Sequence, residues 1–255
     1  MKISKACLGL LLFGAGLSLA PARSEPYLRI GLGADKPAPA NFLDRQCKQQ
    51  KPPALFGCGK GNNGAKLNAD GAFASGAVID AALGYRFNEW LRAEALLSYR
   101  PSSDYGGEAN FLNAGASQPV SANLSSIAGF AVGYLDLPKI GKIQPFLGSG
   151  VGSARNRISS VRYDFPKLGS SAKTTIVGGT SHGFAWLLTA GVAIPLSPQL
   201  NLDIAYRFTD LGRVLTDDGM ASIERQMGRS SLEIAGTESH LQTNGVIATL
   251  RYHFR

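Results

Sequence analysis

The last stretch of the chain, Gln242 to Phe254 (QTNGVIATLRYHF), most narrows what this sequence can fold into. Its odd and even positions separate. Gln242, Asn244, Val246, Ala248, Leu250, Tyr252 and Phe254 share one face, apolar from Val246 onward. Thr243, Gly245, Thr249, Arg251 and His253 share the other, with Ile247 the one large apolar exception. Side chains alternate across a strand with period two, so the pattern predicts a strand greasy on one side and polar on the other. A soluble sheet can do this too. The closing aromatic pair fits less well there, because soluble chain ends usually fray. It suits a strand that closes a membrane barrel, with lipid outside, a polar lumen and aromatics at the interface.

Seven further segments repeat the alternation. Tyr27 to Ala34 sets Leu28, Ile30, Leu32 and Ala34 against Tyr27, Arg29, Gly31 and Gly33. In Ala72 to Phe87, Phe73, Ala77, Ile79, Ala81, Leu83, Tyr85 and Phe87 are expected outward, opposite Gly76, Asp80, Gly84 and Arg86. Trp90 to Arg100 follows after the tight turn Asn88-Glu89, with Leu91, Ala93, Ala95, Leu97 and Tyr99 alternating with Arg92, Glu94, Leu96, Ser98 and Arg100. Ser121 to Leu135 groups Leu124, Ala128, Phe130, Val132 and Tyr134 on one face. Pro145 to Ala154 carries a stripe of Gly148, Gly150 and Gly152, expected to face a crowded lumen. Gly183 to Leu196 and Leu200 to Phe208 complete the set, the latter with Asp203 and Arg207 inward.

The connections run long (about 35–71), short, long (about 101–120), short, long (about 155–182), short, long (about 209–239). A β-sandwich has no reason for that alternation of loop length. The sequence therefore predicts an all-β chain: an eight-stranded antiparallel transmembrane β-barrel with short periplasmic turns and four long extracellular loops. Arg29, Asp80, Arg86, Arg92, Glu94, Asp203, Arg207 and Arg251 fall on the non-lipid face. Eight strands leave room only for side chains inside, so these charges of both signs are expected to pair into a plug rather than line a pore.

The start reads as a secretory leader, residues 1–22. Lys2 and Lys5 precede the apolar run CLGLLLFGAGLSLA, and Ala20-Pro21-Ala22 gives an A-x-A cleavage site, leaving a barrel domain of residues 23–255. No other stretch is apolar enough for a spanning helix. Export makes Cys47 and Cys58, a close pair in a Pro/Gly/Lys-rich segment, an expected disulfide. Leu55 and Phe56 would then sit near the tip of the closed loop inside a basic ring of Lys48, Lys51 and Lys60, as possible partner contacts. His182, His240 and His253 are too scattered for a zinc site, and nothing calls for a cofactor. The formal charge of +8 comes without a clustered basic stretch, which argues against nucleic acid; outer-membrane lipid and lipopolysaccharide are the expected anionic neighbours.

Motifs that might carry chemistry have simpler readings. GSGVG at 148–152 lacks the helix and the Lys-Ser/Thr pair of a nucleotide loop. Glu238, Ser239 and His240 are consecutive, so on a strand they cannot converge. Asp217-Asp218 opens an Asp-Asp-Gly turn.

The RAEALLSYR strand, Tyr134 with Asp136-Leu137-Pro138, PFLGSGVG, DIAYRF and the RYHF ending resemble the opacity-type, OmpA-like small outer-membrane β-barrels. The likeness covers Tyr27 to Phe254, with Arg255 a departure after the terminal aromatic. It implies location in the cell outer membrane and carries little about activity, because such barrels share strands and differ in loops. The expected role is a non-enzymatic structural or surface-interaction (adhesin-like) one, with loops offered to host surfaces or other ligands. A small porin-like channel or transport barrel is the alternative, and a lipid-modifying membrane enzyme a third reading.

Overall fold

The structure, a computed structural model, describes residues 25–61, 63–226 and 228–254; the expected leader and Arg255 lie outside them. Among the described residues, fourteen strands form one sheet: β1 (Glu25–Pro37), β2 (Pro39–Asp44), β3 (Ala69–Phe73), β4 (Gly76–Arg86), β5 (Leu91–Ala109), β6 (Pro119–Asp136), β7 (Gln144–Ile158), β8 (Val161–Asp164), β9 (Lys173–Ile176), β10 (Gly179–Pro195), β11 (Leu200–Leu215), β12 (Gly219–Arg225), β13 (Gly228–Ile234) and β14 (Thr237–His253).

Eight of them close on themselves. β1 pairs β4, then β5, β6, β7, β10, β11 and β14 follow in antiparallel order, and β14 pairs back onto β1 from Tyr27↔His253 to Pro37↔Thr243. Closure leaves these strands no free edge. The period-two pattern decides which side chains point in. On β14, Val246, Leu250 and Tyr252 are exposed while Ile247, Thr249, Arg251 and His253 are buried. At the end with the short connections, Tyr85 meets Phe87 (5.2 Å) and Tyr252 meets Phe254 (5.5 Å), giving an exterior aromatic rim joined by Trp90.

The other six strands occupy the long connections, which were expected to be plain loops. β2 and β3 fill the space between β14 and β5; β8, β9, β12 and β13 extend from β6. Expected boundaries shift accordingly. Ala72 to Phe87 is two strands, and Phe73 turns inward against Phe42 and Tyr105 instead of outward. Pro101 does not open a loop: β5 runs on to Ala109, absorbing Pro101 in a register shift between Arg100 and Ser103. A bulge accommodates a proline that cannot donate to the ladder.

One strand runs against the simple rule of apolar outside and polar inside. On β6, Leu124, Ala128, Phe130, Val132 and Tyr134 are buried, while Gly129, Ala131 and Gly133 face out. The neighbouring β7 explains how they fit. A Cβ at Gly148 would lie 2.6 Å from the Tyr134 ring, and one at Gly150 would lie 2.9 Å from Val132. Glycines on one inner wall make room for bulk on the next.

Candidate functional site

The interior is filled in two layers. The first, toward the short connections, is ionic. Glu94 on β5 receives Arg29 of β1 (2.6 Å), Arg92 (3.3 Å) and the Tyr27 hydroxyl (2.9 Å). Arg92 also donates to Asp136 (2.9 Å), which takes Arg86 as well (3.1 Å). Arg251 of β14 reaches Asp203 of β11 (3.1 Å), and Arg207 holds Asp80 (2.7 Å). All eight charges expected on the non-lipid face thus meet across the ring, and all but the half-buried Arg86 are nearly inaccessible. Buried ions need partners because desolvation is costly, and here each carboxylate serves one or two guanidinium groups. Aromatic rings supply a further counterpart: the Arg92 guanidinium lies 4.2 Å from the Tyr134 ring centroid and 4.8 Å from that of Phe146.

Sequence reasoning missed three members. Asp136 resembled a turn residue beside Leu137-Pro138, yet it is the last residue of β6 and 1% exposed. Asp35 and Arg100 pair at 2.7 Å farther along the ring. Arg100 stood on the polar face of its strand; Asp35 lay one residue past the expected end of the first.

The second layer, toward the long connections, is aromatic. Phe42 packs edge-on against Phe73 (6.4 Å) and Tyr105 (5.1 Å), and Phe73 meets Tyr105 at a tilt (5.1 Å). Phe56 stacks on Phe111 (5.1 Å, 20°), and Tyr163 closes on both. The disulfide loop carries Phe56 into this layer. Cys47 and Cys58 are bonded with Cα atoms 4.9 Å apart, and the Asp44 carboxylate accepts the backbone N–H groups of Leu55 (3.0 Å), Phe56 (3.0 Å) and Gly57 (2.7 Å). Burial pushes the Asp44 carboxyl up from its ordinary value, and those three bonds pull the other way. The expected exposed anchors are therefore replaced: Phe56 is 5% exposed and Leu55 is partly buried, because a loop end with an apolar interior takes in any apolar side chain it can reach. Lys48, Lys51 and Lys60 stay outside.

The remaining motifs find structural employment. Ser239 points inward while Glu238 and His240 point outward, so the three do not converge. His240 bonds Asp210 (2.9 Å), which also takes Gln242 (3.0 Å); Asp218 accepts from the Gly236 N–H (2.7 Å). Among the described residues no cluster of His, Cys, Asp and Glu is arranged to hold a metal, and no helix is long and apolar enough to cross a membrane.

Residues 6–254 match the family described as outer membrane protein beta-barrel domain. An uncharacterized protein of Brucella abortus (strain 2308) is 31% identical over 215 residues, 73% of this chain and 71% of the relative; one from Brucella melitensis matches equally. Among solved structures, OprG from Pseudomonas aeruginosa superposes with a TM-score of 0.49 at 16% identity over 91% of this chain and 96% of that one. Neisserial surface protein A gives 0.45 at 16% identity over 90% and 97%.

Proposed function

This chain belongs to the outer membrane protein β-barrel domain family, and we propose that it is a closed, non-enzymatic, eight-stranded transmembrane barrel whose long connections form an interaction platform outside the cell. The observation that carries this reading is the filling of the ring and of the mouth above it. An ionic layer occupies the cycle of eight strands, which is wide enough for side chains and little else, and an aromatic layer lies beyond it among β2, β3, β8, the overhang of β5 and the disulfide loop. The exterior band from Ile30 and Leu83 to Leu97 and Leu250 then faces lipid, and the aromatic rim at Trp90, Tyr252 and Phe254 marks the periplasmic interface. The leader delivers the chain to that membrane. Lipid and lipopolysaccharide surround it, and partners meet the ordered strands β2, β3, β8, β9, β12 and β13 rather than mobile loops.

Two measurements test this. Planar-bilayer recordings of the purified, folded protein should show no reproducible single-channel steps; stable steps would favour the porin-like alternative and sink the plug. The orientation is tested by Leu97→Arg, which sets a charge among lipid tails and should cost about 2 to 4 kcal/mol of folding free energy in vesicles. Ser98→Arg, one residue on, points inward and should cost roughly 1 to 3 kcal/mol through crowding instead. An unpenalised Leu97→Arg would place that face outside the bilayer.

A further inference from the structure

The sheet that closes around the ring does not close everywhere. β13 ends the strand order, and its residues Gly228 to Glu233 are all exposed. The register of its hairpin tells which backbone groups are free. Phe165 donates to Ala172, so Lys173 and Thr175 of β9 bond toward Glu224 and Ser222. Arg225, Ile223, Ala221 and Gly219 therefore bond the other way, and their partners Gly228, Ser230, Leu232 and Ile234 direct their N–H and C=O groups at β12. Arg229, Ser231 and Glu233 direct theirs the other way, and no described strand pairs them. Ala235, next in that series, donates its N–H to the Pro53 carbonyl of the disulfide loop (2.9 Å). The loop pairs this edge at its base and goes no farther.

An unpaired, exposed edge is a template for another strand, and proteins usually blunt it with charged side chains, proline or a bulge. The run Gly228 to Ile234 (GRSSLEI) has no proline, lysine or bulge, and its two charges, Arg229 and Glu233, are of opposite sign, so they repel only a partner that matches them like to like. Its sequence favours one occupant. We propose that this edge pairs antiparallel with the same edge of a second copy, centred on Ser231. That register brings the outward N–H and C=O groups of Arg229, Ser231 and Glu233 into bonds in both copies. It also sets Arg229 opposite the partner's Glu233, and Glu233 opposite the partner's Arg229. In-register parallel pairing would set arginine against arginine. Arg229 is free to turn: its side chain is 71% exposed, and the Glu224 that it now contacts (2.8 Å) keeps Lys173 (3.1 Å).

The two-fold axis of such a pair is normal to the sheet. Strand sense alternates from β6 through β8, β9 and β12 to β13, so β13 runs in the sense of the ring strand β6, and antiparallel pairing sets the two copies in opposite senses. This deepens the proposed platform role and rests on it: the partner is the same protein on a facing membrane.

The test uses the full chain folded in detergent, by sedimentation over a wide concentration range. Wild type should form a reversible dimer. Ser231→Pro removes an N–H that points away from β12, so the hairpin ladder is kept while the pairing is lost. Arg229→Glu and Glu233→Arg should each weaken the dimer roughly tenfold or more by setting like charges together, and the double variant should recover most of the loss. Rescue by the double variant separates pairing from general damage to the hairpin, and heat-resistant migration on gels reports that each variant is folded. A wild type that stays monomeric, a Ser231→Pro dimer of unchanged strength, or a double variant no better than the singles would overturn the proposal. A Ser231→Cys variant on intact cells, probed with a membrane-impermeant maleimide, tests the exterior placement separately. Lack of labelling beside a detergent dimer would remove the platform reading and leave the edge pairing intact.

Discussion

Glu94→Ala should lower the unfolding free energy by about 3 to 5 kcal/mol, among the largest effects available in this protein. Glu94 is the one carboxylate shared by Arg29, Arg92 and Tyr27, and its side chain is wholly inaccessible. Removing it leaves two guanidinium groups in a dry interior with one fewer counter-charge. Arg92 keeps Asp136, whereas Arg29 is left with the Tyr134 hydroxyl (3.0 Å). Glu94→Gln preserves the shape and loses the charge, so it should cost nearly as much. Ser98→Ala is the contrast. Its hydroxyl accepts long bonds from Arg100 (3.3 Å) and Arg207 (3.4 Å), both of which retain their own carboxylates, so the loss should be about 1 kcal/mol. Urea unfolding of the protein in lipid vesicles measures all three. A Glu94→Ala loss no larger than that of Ser98→Ala would mean that water enters the ionic layer freely and the interior is not sealed. Converting the whole network to apolar side chains of matching volume is a different experiment, and its cost can approach zero, because the ions have paid desolvation already.

The ionic layer was legible in the sequence because a charge inside an apolar period-two strand has to sit on the side away from lipid. Arg92 and Glu94 alternate with Ala93 and Ala95, and Asp203 and Arg207 sit between Leu202, Ile204, Tyr206 and Phe208. Position alone told their side; the ring told their partners. Asp136 escaped because its local sequence is that of a turn, and nothing local reveals that Arg86 and Arg92 lie across from it. The inward face of β6 escaped for a related reason. Phe130, Val132 and Tyr134 look like lipid-facing residues until the glycines of β7 are known to stand beside them. Alternation fixes that two faces differ, but it names the inner one only when the polar side is charged. The outer strands were hidden by composition, since β2, β3, β8 and β9 are short and set among Gly, Pro, Asn and Lys. Their strand state comes from pairing with the overhanging ends of β5, β6 and β14 rather than from their own pattern.

Phe56→Ala should open the aromatic layer without unfolding the ring. Truncating a buried phenylalanine costs about 3 to 5 kcal/mol when the surroundings cannot collapse, and here Phe111 keeps Tyr163 and Phe165 while Tyr163 is fixed in the β8 ladder. The disulfide prevents the loop from leaving altogether, and Asp44 still grips the backbone of residues 55–57. The loss should therefore appear locally, as faster hydrogen exchange at the amides of Leu55, Phe56 and Gly57 and as new protease cutting within the long connections. The barrel ring gains nothing from Phe56 directly, so heat-resistant gel migration should persist. Lys48→Ala and Lys51→Ala, on the exposed side of the same loop, should leave exchange unchanged. These two patterns separate the buried-staple role that the structure gives Phe56 from an exposed contact role. If exchange at residues 55–57 were the same in Phe56→Ala and wild type, the ring would not be anchoring the loop, and Asp44 with the disulfide would suffice to hold the outer layer together.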